Sequence, residues 1–238
     1  MTVAYMRAYH SIHAADKIFD DFLAYDLIPE EKRVLVEQYL TPLAEQLNDS
    51  EDTKLCVDQK IISEFLIQGI NNIASRARYA EDTLEEKVKQ GVKQYVILGA
   101  GMDTFAFRRP EMLEELEVFE VDHPATQEFK LRRLTELGWH HPAKLHFIPI
   151  DFTKENLVTA LTSSPFYDPN VKSFFSWFGV TPYLTQEEVF ATLRSIREIA
   201  PAGSMVLFDY LDADAFVPEK MSPEIREFKE FLKKIEDP

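Results

Sequence analysis

Gln94-Tyr-Val-Ile-Leu-Gly-Ala-Gly-Met-Asp-Thr104 is a short apolar run that ends on two glycines one residue apart. Its first five residues have the length and β-branched content of a buried strand. Lacking a Cβ, Gly99 and Gly101 let backbone N–H groups approach a bound group closely. A plain strand-to-helix turn uses the same residues, so Gly-Ala-Gly alone does not separate the two readings. The third position says more: a dinucleotide fingerprint has Gly or Ala where this chain has Thr104, which argues against NAD. Asp103 and Thr104 are instead suited to cap the short helix that follows.

Downstream, apolar runs at 117–121, 145–150, 173–178 and 204–210 alternate with helical patterns at 124–137, 154–161 and 186–200. Strand–helix alternation of this kind predicts an α/β fold, a mostly parallel sheet with helices on both faces. Ligands of such sheets sit beyond the carboxyl ends of the strands, near the point where strand order reverses. Upstream, helical patterns cover 16–25, 30–47 and 59–90, with a polar stretch at 48–54 and Gly91 as a stop. We therefore expect a helical extension or lid over 1–58 and a core over 59–238.

The chain has 238 residues, 45% of them hydrophobic, enough for one sizeable core without covalent staples. A net charge of −15 repels phosphate backbones, so nucleic acid is a poor partner. No apolar run is long enough to cross a bilayer. A single cysteine, Cys56, precludes a disulfide within the chain and suits a reducing, cytoplasmic setting. The six histidines have no metal-like spacing, no Gly-x-Ser-x-Gly elbow is present, and Asp212 and Asp214 read as a solvated strand end.

The strand ends supply the candidate site residues. Asp122 ends the second strand about 20 residues beyond the glycines, where a carboxylate can accept both hydroxyls of a ribose; its other use is to cap the helix at Pro124. Asp151-Phe152 follows the third strand and can frame an adenine, or simply begin a helix. Arg78 precedes the first strand, and its guanidinium can hold a carboxylate in bidentate fashion or pair with Asp82 four residues on. Trp177, Phe178 and Tyr183 surround the end of the fourth strand.

Together these residues resemble the leucine carboxyl methyltransferase-like family, which includes bacterial and archaeal polyketide-type O-methyltransferases. The resemblance runs from Arg7-Ala-Tyr-His10 and Ile18-Phe-Asp-Asp21, through Arg76-Ala-Arg-Tyr79, Leu98-Gly-Ala-Gly-Met-Asp-Thr104 and Glu120-Val-Asp-His-Pro124, to Pro149-Ile-Asp-Phe152, Trp177–Leu184 and Phe208-Asp-Tyr210. It implies a class I methyltransferase fold that uses S-adenosylmethionine. Arg78 would hold the cofactor carboxylate, Gly99 and Gly101 would form the loop beneath it, and Asp122 would take the ribose. Asp151 and Phe152 would lie beside the adenine, and Trp177, Phe178 and Tyr183 would face the substrate. Many members carry Glu where Phe178 stands, in a Glu-Gly-x-x-x-Tyr-Leu segment, so geometry there should differ.

The resemblance implies methyl transfer to a carboxylate or hydroxyl oxygen of a small molecule. A hydroxyl acceptor requires a base, for which Tyr183, Tyr9 and His10 are candidates, whereas an ionised carboxylate requires none. The alternatives are an NAD-type oxidoreductase and a relative that binds cofactor without turnover. The family's sheet normally gains two strands after the fifth, and none is readable beyond 210. Either a segment is lacking or a partner covers the gap. The fifth strand is then expected at the sheet edge, where an unpaired strand can recruit a second copy.

Overall fold

The computed structural model describes residues 1–34, 37, 57–212, 217, 219–221 and 226, with side chains of the 57–89 helix described from residue 68 onward. Most of the helix expected over 30–47, the polar stretch 48–54, Cys56, Asp214 and most of a helical pattern over 223–235 lie outside them. In chain order the elements are α1 (Thr2–His13), α2 (Ala24–Leu27), α3 (Val57–Lys89), β1 (Gln94–Leu98), α4 (Phe105–Arg108), β2 (Glu117–Asp122), α5 (Pro124–Glu136), β3 (Leu145–Pro149), α6 (Leu157–Thr162), β4 (Ser173–Trp177), α7 (Gln186–Ile199) and β5 (Met205–Phe208). The five strands form one parallel sheet in the order β3-β2-β1-β4-β5. Among the described residues, β5 is paired only with β4.

Successive strand residues face opposite sides of a sheet, and β1 shows how both sides are buried. Val96 and Leu98 join Phe119, Val121, Phe175 and Trp177 in a core closed by Leu157 and Leu161 of α6 and Ile196 and Ile199 of α7. Tyr95 and Ile97 point the other way, toward Val118 and Phe174, under Leu84 of α3 and Phe105 of α4. A strand covered on both faces reads as a continuous apolar run rather than an alternating one, as 94–98 does. Local signals set the helix ends. Thr185 and Glu188 form a reciprocal capping box at the start of α7. Pro124, whose missing N–H is no loss at a first helical position, opens α5.

The amino-terminal segment departs from expectation. No helix spans 16–25; α1 lies earlier, and the short α2 overlaps only its end, while the described residues of the 30–47 stretch, 30–34 and 37, are helical. Side chains hold the intervening stretch out of a helix: His10 Nε2 accepts the Ile18 N–H at 3.0 Å, Ser11 and Lys17 donate to Asp20, and Asp21 is buried in an ion pair. Ala4, Tyr5 and Met6 of α1 are buried with Leu27, Ile28, Ile70, Met102 and Leu134, so the segment shares a core with α3, α5 and the loop after β1.

Candidate cofactor and substrate site

Leu98 is in register with Val121 on one side and Trp177 on the other, so β2, β1 and β4 end at one level. Gly99, Asp122 and Phe178 therefore emerge side by side. Strand order reverses at β1, and the crevice beyond such a point is where open α/β sheets take ligands. A cavity of about 380 Å³ lies there, walled by residues 99–103, by Arg76 and Glu81 of α3, and by Phe178 and Tyr183. Residues 1–4 and Arg7 complete the wall. A shallower groove of about 560 Å³ runs between the end of β3 and α6, lined mainly by small side chains such as Thr159, Ala160 and Ser163; none of the expected site residues lines it.

The two glycines have different reasons. Gly99 has φ +71°, and a Cβ there would lie 2.1 Å from Cγ2 of Val180. Gly101 has φ +52°, and a Cβ would meet nothing within 4 Å, so this glycine leaves open space. The Gly99 N–H donates to the Val121 carbonyl at 2.7 Å. The Gly101 N–H donates to the Asp122 carboxylate, which also accepts the His123 N–H at 2.6 Å. Asp122 does not cap α5; the His123 ring does, accepting the Ala125 N–H at 3.3 Å. Asp103 caps α4 by accepting the Phe105 N–H at 2.7 Å, while Thr104 makes no cap bond.

Beneath the loop, Lys130 of α5 donates to the Asp103 carbonyl at 2.6 Å and to the Glu120 carboxylate. Both side chains are buried, and Glu120 Oε1 has no hydrogen-bond partner among the described residues. Burial pushes the Glu120 carboxyl up to about 7; Lys130 opposes this, and Asp103 and Asp122 add to it.

Arg78 is not in the wall. Its side chain is 58% exposed and pairs with Asp82 at 2.8 Å. Arg76 stands in the cavity instead, paired with Asp209, with its guanidinium 5.7 Å from the Phe178 ring centroid. Two residues along an α-helix turn a side chain through about 200°, so only one arginine of Arg76-Ala-Arg78 can face the sheet. Of the two, Arg76 and not Arg78 is the arginine that borders the cavity. Asp151 and Phe152 do not line the cavity either. The Asp151 carboxylate accepts from Lys154 Nζ at 2.7 Å and from Thr153 Oγ1 at 2.6 Å and N–H at 3.1 Å, contacts that hold it well below the usual carboxylate range. Phe152 is half-buried against the core under α6 and α7.

Of the three aromatic residues expected to face substrate, Phe178 and the 82%-exposed Tyr183 line the cavity. Trp177 is instead fully buried beside Phe208, with no hydrogen-bond partner for its indole N–H among the described residues. Of the candidate bases, only Tyr183 borders the cavity; Tyr9 stacks near His13, and His10 is engaged with the Ile18 N–H.

A buried ionic cluster that no motif disclosed joins the amino-terminal segment to the site. Asp21, 1% exposed, accepts from Arg7 Nε at 2.8 Å and from the Thr104 hydroxyl, with Arg108 Nε at 3.2 Å. Arg7 also donates to the Met102 carbonyl at 2.9 Å, Arg108 pairs with Glu81, and Phe19 lies under the Arg108 guanidinium at 4.6 Å. Burial pushes the Glu81 carboxyl up against the pull of Arg108. The spacing of Arg7, Asp21 and Thr104 along the chain holds no local signal, because their meeting is set by tertiary packing. Among the described residues no His, Cys, Asp and Glu cluster could hold a metal ion, and no helix is long and apolar enough to cross a membrane.

Residues 1–197 match the leucine carboxyl methyltransferase family. A Bacillus subtilis (strain 168) protein provisionally named S-adenosyl-L-methionine-dependent methyltransferase YktD is 40% identical over 221 residues, 92% of this chain and 72% of its own length. A Mycobacteroides abscessus protein, provisionally named as a methyltransferase of the same dependence, is 31% identical over 205 residues, 86% of this chain. The chain spans only 64% of that relative's length. Among solved structures, one described as PigF with SAH aligns with a TM-score of 0.44 at 12% identity, over 85% of this chain and 69% of that one. By a match through four-fifths of its length, and by that identity to YktD, the chain belongs to the leucine carboxyl methyltransferase family.

Proposed function

We propose that the chain is an S-adenosylmethionine-dependent methyltransferase that acts on an oxygen of a small-molecule substrate. The observation that carries this reading is the meeting of Gly99, Gly101 and Arg76 in the wall of one crevice of the sheet, with the Asp122 carboxylate, itself outside that wall, bonded to the Gly101 N–H. These residues fit the cofactor. Gly101 leaves room for close approach. Asp122 offers two carboxylate oxygens to ribose hydroxyls. Arg76 has Nε and Nη2 donors without a protein partner among the described residues, and they can take an amino-acid carboxylate. Asp151 and Phe152 lie outside the described cavity, so they add nothing to this fit. When bound, the cofactor supplies an activated methyl group. The residues of this chain align it with the acceptor and exclude water, which is most of what such a displacement requires.

Both oxygen acceptors fit the described cavity: Glu81 is engaged with Arg108 and the Tyr95 hydroxyl with Ser176 at 3.0 Å, which leaves the exposed Tyr183 as the candidate base for a hydroxyl. An ionised carboxylate needs no base. The amino-terminal segment and the stretch from Phe178 to Tyr183 form the remaining wall, so acceptor choice would fall to them. The NAD reading finds no support. The helix after the glycines has four residues, and Thr104 is bound to Asp21, whereas a dinucleotide places its pyrophosphate on the N-terminus of a closely packed helix.

Calorimetry with S-adenosylhomocysteine and NADH tests the reading, and methylation of a panel of carboxylates and phenols separates an enzyme from a relative that only binds. Binding of S-adenosylhomocysteine alone is expected, weakened by about 1.5–3 kcal/mol in Asp122→Ala. No binding by the wild type, or unchanged affinity in the variant, would remove the crevice from consideration as the cofactor site.

A further inference from the structure

Phe208-Asp-Tyr210 belongs to the family resemblance, yet Asp209 has no part in the site as it stands. It follows β5 and gathers three groups that come from distant parts of the chain. One carboxylate oxygen pairs with Arg76 of α3. The other accepts the Gly179 N–H at 2.8 Å, and the Asp209 carbonyl accepts the Thr181 hydroxyl at 2.7 Å. Gly179 has φ +67°, and a Cβ there would lie 3.4 Å from Arg76 Nη2, so glycine lets the guanidinium lie against the loop after β4. Phe178 flanks it with a ring face instead of a second carboxylate.

We propose that Asp209 is a positioning residue: it holds Arg76 Nη1 and the Gly179 N–H at once, and so turns the free edge of the guanidinium into the cavity. The inference rests on Arg76 holding the cofactor's carboxylate, as proposed above. A guanidinium tethered at one nitrogen retains a preformed fork at the others, so less freedom is lost when a carboxylate binds. Arg76 without its tether keeps the charge but samples more rotamers. Asp209 would then govern affinity for the amino-acid end of the ligand and leave the nucleoside end alone.

Calorimetry with S-adenosylhomocysteine and with 5′-methylthioadenosine, which lacks the amino-acid carboxylate, reads this split. Arg76→Ala should weaken the first ligand roughly tenfold or more and leave the second within about twofold. Asp209→Asn, close in shape and still able to accept the Gly179 N–H, should weaken the first about fivefold and spare the second. Combined with Arg76→Ala it should add nothing, because the tether then has nothing to hold. Asp209→Glu, whose longer arm displaces the guanidinium, is the second variant and should show the same one-ligand loss. Equal weakening of both ligands by the Asp209 variants, or losses that add to that of Arg76→Ala, would make Asp209 a merely structural residue and overturn the proposal. If Arg76→Ala weakens both ligands alike, or the wild type binds neither, the cofactor reading of Arg76 fails first and the role of Asp209 falls with it.

Discussion

Glu120 carries a carboxyl into the dry interface between β2 and α5, where Lys130 is its partner and Asp103 and Asp122 are its acidic neighbours. Its native affinity for a proton exceeds that of an unfolded glutamate, since burial lifts the carboxyl to about 7. Its contribution to stability is therefore fullest below the ordinary glutamate range and is lost as pH rises through about 7. Urea melts of wild type and Glu120→Gln at pH 5 and pH 8 should show the wild type gaining on the variant at pH 5, by on the order of 2 kcal/mol. A difference that stays constant with pH would mean that another group titrates. The glycines allow a second prediction at this scale. Both have positive φ, but only Gly99 faces a side chain, Val180, within bonding range of an added Cβ. Gly99→Ala should cost about 2–4 kcal/mol, strain and overlap together, and Gly101→Ala only about 1–2 kcal/mol, strain alone. Equal losses in denaturant melts would contradict the distinction.

At the scale of elements, the segment from α1 to α2 is fastened to the loop between β1 and α4 by charge as well as by apolar contact. Asp21 is the hub: truncating it leaves the half-buried Arg7 without its acid while Arg108 keeps Glu81, a loss of about 3 kcal/mol, the low end for a broken buried pair. Limited proteolysis of Asp21→Ala should cut within residues 14–23 well before the sheet, while wild type is cut at both slowly. Resistance equal to wild type would show that apolar packing alone holds the segment. The core elements were legible in sequence because their signals are local. Apolar runs of five residues, Pro124 and Gly91 each act within a few positions of themselves. The amino-terminal segment was misread because tertiary partners decide it. Ile18 and Asp20 look compatible with a helix, yet His10 and Ser11 take them for other bonds. Arg76 and Arg78 are one step of the same difficulty: the motif offers both, and only the packed face of α3 selects one.

Considered whole, the molecule builds its cavity from Met1–Ala4 and Arg7, from Arg76, Ala77, Ala80 and Glu81, from residues 99–103, and from Ser176, Phe178, Gly179 and Tyr183, with Asp122 and Asp209 behind them. The parallel sheet makes this possible, since every strand delivers its carboxyl end to the same side. A mostly parallel sheet with two covered faces follows from the strand–helix rhythm of 94–210, while the strand order comes from the structure alone; Gly99, Gly101, Asp122 and Phe178 follow from their places at strand ends. The clamp around Asp21 and the tether at Asp209 do not, because their partners are separated by 83 residues for Thr104 and 133 for Arg76. That separation has a consequence for how the chain comes into being. Synthesis delivers α1 first, but the surfaces that bury Ala4, Tyr5 and Met6 include Met102 and Leu134, and the Asp26 carbonyl waits for a guanidinium 107 residues later. Contacts of such long range close late. On the ribosome, α1 can meet Leu27, Ile28 and Ile70 early, but its cover by Met102 and Leu134 is missing until α5 has been made, an interval in which a nascent chain of this protein is open to wrong partners.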